Sequence, residues 1–127
     1  MTGETILYLS DRATNSNSVL AALKATGYEV VSTNSATQAI ALLYMLRMVV
    51  GVVLNRWAGE QNTSDVARSL RAIRPEVPIV LLCRDQINCL PSSVDACVDT
   101  EQPLEKLTAA VRRLLVAKRF QLLIAQL

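Results

Sequence analysis

Several apolar runs in this chain of 127 residues end on, or just before, a polar or reactive head. Ile6-Leu7-Tyr8-Leu9 leads into Ser10-Asp11, Val49 to Leu54 into Asn55, Pro78 to Leu82 into Cys83, and Val94 to Val98 towards Thr100. Arginines stand beside three of these ends: Arg12, Arg56 and Arg84. The chain contains no histidine, so Ser10 next to Asp11 lacks the usual general base and forms no triad. Three cysteines without histidine lack a fourth soft ligand for zinc. Arginines near Cys83 would favour a thiolate, as in redox sensors, but the simpler reading is a buried inert thiol. No glycine-rich phosphate loop of either common type occurs, which argues against a nucleotide enzyme. An enzyme, a metal site and a cofactor are therefore not expected.

These heads must be held by the elements around them. The short apolar runs read as buried strands, with a further β-branched strand at Tyr28 to Ser32. Helical periodicity appears from about Asn15 to Thr26, stopped by Gly27. It appears again from a Ser35 cap to about Leu46, and through Val66, Leu70 and Ile73 up to Pro75. A long helix begins near Leu104. Strands alternating with helices predict a parallel sheet covered on both faces, and five units suit an open doubly wound sheet rather than a barrel. In such sheets the functional crevice lies at the carboxyl ends of the strands, where the polar heads cluster.

Composition sets the boundaries. Half the residues (51%) are apolar and only 4% aromatic, so the core must be aliphatic. Thirteen basic against eleven acidic residues leave a net charge of +2, too balanced to point to nucleic acid. The longest apolar stretch, Ala39 to Leu54, is interrupted by Arg47 and is too short for a bilayer, and no leader-like segment opens the chain. A cytoplasmic protein with reduced, mostly buried cysteines is expected, binding neither membrane nor nucleic acid.

The order of these elements and their endings, over roughly residues 5–115, resembles the receiver domain of two-component response regulators. The resemblance implies a flavodoxin-like, five-stranded, doubly wound α/β domain. It places the phosphoacceptor position on Asn55 and the acidic pair on Ser10 and Asp11. The switch hydroxyl, switch aromatic and lysine positions fall on Cys83, Cys97 and Thr100, so of these signature positions only Asp11 keeps the family residue. The segment between Cys83 and Thr100 is shorter than usual by about one turn, predicting a shortened fourth helix.

The replacements agree with one another. Phosphoryl transfer to a receiver needs a carboxylate nucleophile and a divalent cation held by neighbouring carboxylates. A carboxamide at Asn55 cannot form an acyl phosphate, and Ser10 with Asn55 leaves Asp11 as the one anionic ligand. With that repulsion gone, Thr100 can stand in place of the lysine. Three readings stand for the arginines: Arg84 folds over the crevice onto Asp11, or Arg12, Arg56 and Arg84 bind a small anion, or all three are solvated.

The last helix carries two stripes. Leu104, Leu107, Val111, Leu114 and Leu115 form one, suited to packing on the sheet. Val116, Phe120, Leu123 and Leu127 form another, centred on about the opposite side, with Ile124 beside it. Residues 1–115 are thus read as a receiver-like domain and 116–127 as a helical extension. The expected function is a degenerate receiver that docks a signalling protein or dimerises through this stripe without phosphorylation. The alternative is an anion or ligand sensor using the old acidic crevice.

Overall fold

The computed structural model describes residues 3–10, 17–55, 63–83, 94–99 and 104–125. The strands are β1 (Thr5–Leu9), β2 (Glu29–Thr33), β3 (Val49–Asn55), β4 (Ile79–Cys83) and β5 (Ala96–Asp99). The helices are α1 (Asn17–Lys24), α2 (Ala36–Met45), α3 (Thr63–Ile73) and α4 (Leu104–Ala125). All strand pairings are parallel, in the order β2-β1-β3-β4-β5. The expected doubly wound α/β sheet is therefore present. Residues 84–93, to which the sequence assigns the shortened fourth helix, lie outside the described residues.

The two-residue alternation of a strand sends side chains to opposite faces, and both faces are buried. Leu7, Leu9, Val52, Leu54, Ile79 and Leu81 meet Ala39 and Leu43 of α2 and Val66 and Leu70 of α3. Ile6, Tyr8, Val53, Val80 and Leu82 meet Leu23 of α1 and Leu107, Val111 and Leu115 of α4. Capping chemistry bounds the helices. Ser35 accepts a bond from the Gln38 N–H at the start of α2. Gly27 takes φ +93° just beyond α1, where a side chain would be strained.

Two departures from the expected boundaries have local causes. β5 begins at Ala96 rather than Val94, because Asp95 is engaged elsewhere: its carboxylate accepts the Ile79 N–H at 2.7 Å and pairs with Arg71. Val94 nevertheless stays in the core. α4 packs tightly on the sheet at Gly51, where an added Cβ would lie 2.9 Å from Leu115 Cδ2. Leu115 occupies the notch that glycine leaves.

Candidate functional site

The chain reverses its winding direction between β1 and β3, so the crevice of a doubly wound sheet opens at their carboxyl ends. Leu9 is the register partner of Leu54, which sets Ser10 and Asn55 side by side just beyond that pair. Asn55 pairs in turn with Leu82, and Cys83 with Asp99. The sheet thus brings Ser10, Asn55 and Cys83 to a single edge, as the sequence predicts. Asp11, Arg12, Arg56, Arg84 and Thr100 lie outside the described residues.

Ser10 and Asn55 offer this edge only neutral donors and acceptors, while the acidic Asp99 stands at its far side, in register with Cys83. Ser10 donates its N–H to the Thr33 carbonyl at 2.8 Å, and its hydroxyl donates to the same oxygen at 3.3 Å. The hydroxyl is therefore committed to the end of β2. Asn55, half-buried, offers an uncharged carboxamide. Neither group supplies the anionic oxygen that magnesium or a phosphoryl acceptor requires.

Cys97 corrects the expectation of reduced, buried thiols, for it is exposed on β5 and disulfide-bonded. Its partner lies outside the described side chains. An odd cysteine count argues against a full disulfide framework, yet three cysteines within fifteen positions (83 to 97) leave room for one bridge and one thiol.

At the opposite, amino-terminal edge of the sheet stands a polar framework that the sequence pattern does not reveal. Arg71 donates to the carbonyls of Pro75 (2.9 Å) and Val77 (3.1 Å) and pairs with Asp95, tying α3 to both strands of the β4–β5 edge. Arg74 donates Nε to Glu76 at 2.7 Å, and its Nη atoms to the carbonyls of Leu46 (3.2 Å) and Val49 (3.1 Å). That guanidinium caps the carbonyl end of α2 and clamps it to the start of β3. Burial would raise the Glu76 carboxyl. The Arg74 hydrogen bond, a backbone bond and the charges of Arg74 and Lys118 outweigh burial and hold it below the ordinary 4.5. A cavity of about 140 Å³ lies beside this clamp, floored by Val49, Val50, Val77 and Leu115 and bordered by Glu4 and Lys118. The one available signal is the arginine pair at i and i+3 just before Pro75.

The two stripes of α4 separate as expected. Leu107, Val111 and Leu115 are buried, whereas Val116, Phe120, Leu123 and Ile124 are all more than half exposed. Leu127 lies outside the described residues. α4 is one continuous helix through Ala125. Lys118 already borders the cavity at the amino-terminal edge of the sheet, so the following seven residues reach about 10 Å past that edge. Ala125 shows this directly. It falls on the same side of the helix as Leu107 and Val111, yet it is exposed.

No family model matches the chain, and no curated protein matches it. Solved structures match over nearly its whole length. A CheY-like response regulator receiver domain protein from Methanospirillum hungatei superposes with a TM-score of 0.80 at 15% identity, covering 93% of this chain and 98% of that one. The receiver domain of a sensor histidine kinase from Pseudomonas aeruginosa, with magnesium coordinated in its active site cleft, gives 0.77 at 20% identity, covering 89% and 98%. A streptococcal protein, of a family of redox sensors evolved from two-component response regulators, gives 0.78 at 17% identity, covering 93% and 53%. No helix among the described residues is long and apolar enough to cross a membrane. The β2-β1-β3-β4-β5 sheet, its helical faces and these superpositions together give the chain the fold of the response-regulator receiver domains.

Proposed function

We propose that this chain is a receiver-fold domain of two-component, phosphorelay-type signalling that has given up phosphoryl transfer and acts by docking a protein partner. The observation that carries the reading is Asn55 at the carboxyl end of β3, beside a Ser10 hydroxyl already bonded to Thr33. The outer stripe of α4 is the surface offered to the partner, and a homodimer through it is the simplest assembly. The test is incubation with acetyl phosphate and magnesium followed by intact mass. Wild type gains no phosphoryl mass, and Asn55→Asp does not restore efficient transfer because Ser10 and Thr100 still lack a ligand and a cation. A stoichiometric, hydroxylamine-labile adduct on wild type would overturn the reading.

A second reading rests on the Cys97 disulfide. A redox input at the β4–β5 side of the crevice would substitute for phosphorylation, and the streptococcal neighbour, itself from a family of redox sensors that evolved from response regulators, offers the precedent. A dithiol reductant that opens the bridge should then change partner binding, and Cys97→Ser should abolish that response. Identical binding before and after verified reduction would remove this reading.

A further inference from the structure

The outer stripe of α4 is long, apolar and uncovered, and the residues around it restrict what can cover it. Taking Val111, which faces the sheet, as the origin, Phe120 lies nine residues on, about half a turn away. Val116, Leu123 and Ile124 flank it within roughly 60°. Their exposed fractions of 64%, 62%, 56% and 51%, for Val116, Phe120, Leu123 and Ile124 in turn, amount to roughly 400 Å² of apolar surface. Duplicated on a second helix, that approaches about 800 Å², short of the roughly 1,000 Å² of a stable specific interface and compatible only with weak, transient pairing. One helix face of this size is too little for a stable complex with an unrelated flat surface. It suffices for weak pairing with another helix carrying the same stripe.

The charges decide the direction. Towards the start of α4 the outer side carries Glu105, Lys106 and Arg113, with Arg112 alongside donating to the carbonyl of Ala25, just beyond α1, at 2.9 Å. Parallel pairing of two α4 helices would set Arg113 opposite its counterpart at an interaxial distance of about 8–10 Å. Antiparallel pairing centred on Phe120 sets Val116 against Ile124, Phe120 against Phe120 and Leu123 against Ala117. It separates the two Arg113 residues by fourteen positions, about 21 Å, well beyond the screening length of about 8 Å. The stretch of α4 beyond Lys118 leaves room for this crossing, since it extends past the sheet.

We infer that the occupant of the outer stripe is a second copy of the same chain, its α4 running antiparallel and centred on Phe120. This rests on the docking reading and names its partner. The pair is isologous, as a two-fold symmetric dimer requires.

Sedimentation equilibrium up to high micromolar concentration, with crosslinking, tests it. Wild type should dimerise weakly, and Phe120→Glu should be monomeric with unchanged far-UV dichroism. Arg113→Ala should leave the dimer within about two-fold of wild type, because the two guanidinium groups lie well beyond the screening length; a parallel pair would tighten several-fold instead. An equimolar mixture of Val116→Cys and Ile124→Cys should crosslink on oxidation above the wild-type background, whereas Val116→Cys alone should not. Crosslinking of Val116→Cys alone, or several-fold tightening by Arg113→Ala, overturns the antiparallel pair. A monomer at every concentration overturns the second copy as occupant while leaving the phosphorylation-independent reading intact. That reading fails separately, on a phosphoryl adduct.

Discussion

Replacing Arg74 with methionine should cost the domain about 2–3 kcal/mol. Methionine keeps most of the aliphatic stem and removes the guanidinium, so the loss reports hydrogen bonding rather than a cavity. Two well-formed bonds to the carbonyls of Leu46 and Val49 disappear, along with the charge-assisted bond to Glu76. Each contributes about 1–2 kcal/mol when shielded. The Arg74 side chain is 22% exposed and that of Glu76 45%, so water replaces part of the loss and the total stays below the sum. At about 3–5 °C per kcal/mol for a chain of this size, the melting temperature should fall by roughly 6–15 °C. Urea unfolding followed by far-UV dichroism measures it. Arg74→Lys should recover a minor share, because one ammonium cannot serve carboxylate and carbonyls together. The pH dependence carries a sign. Since folding lowers the Glu76 carboxyl, its stabilisation is present above the unfolded value near 4.5 and fades as pH drops through the folded value. The gap between wild type and Arg74→Met should therefore narrow in acid. A neutral-pH loss under about 0.5 kcal/mol would refute the clamp and show that water satisfies these carbonyls as well as the guanidinium does.

Gly51→Ala should destabilise by about 1 kcal/mol in thermal unfolding, since the new methyl meets Leu115 at 2.9 Å, and the double variant with Leu115→Ala should lose less stability than the sum of the two single losses, because the clash is relieved. An additive pair would separate the two residues. Thiol titration of the denatured, unreduced protein should find one free thiol, and three after reduction, in keeping with a single bridge at Cys97. Three thiols before reduction would show the bridge to be absent from the purified protein.

The sheet and its helices are legible because each element is punctuated by local chemistry. Ser35 and Gly27 bound helices through capping and positive φ, and the central strands β1, β3 and β4 are apolar runs, as burial on both faces demands. The positions of Ser10, Asn55 and Cys83 follow from the strand ends alone. Long-range partnerships are not legible. Asp95 looks like the start of a strand until the fold brings Arg71 to it, and Arg74 looks like a solvated helix end until the turn after α2 arrives beside it. Such pairs span more than twenty residues of sequence, and no local pattern distinguishes them from surface charge. Cys97 misleads for the same reason, since pairing is a property of proximity and a count carries only compartment statistics.

The seat of Leu115 in the Gly51 notch has a mechanical consequence. It divides α4 into two arms, about 16 Å back to Leu104 and about 15 Å on to Ala125. The arm before Leu115 is held down, with Leu107 and Val111 in the core and Thr108 and Arg112 donating to the carbonyls of Ala22 and Ala25, so the helix is anchored along one arm and free along the other. Its upper end follows closely on β5 and the crevice edge, and its lower end carries Phe120 clear of the sheet. Bending of α4 is thus confined to the arm beyond Leu115, and a pull on Phe120 is delivered to the sheet at the Gly51 notch.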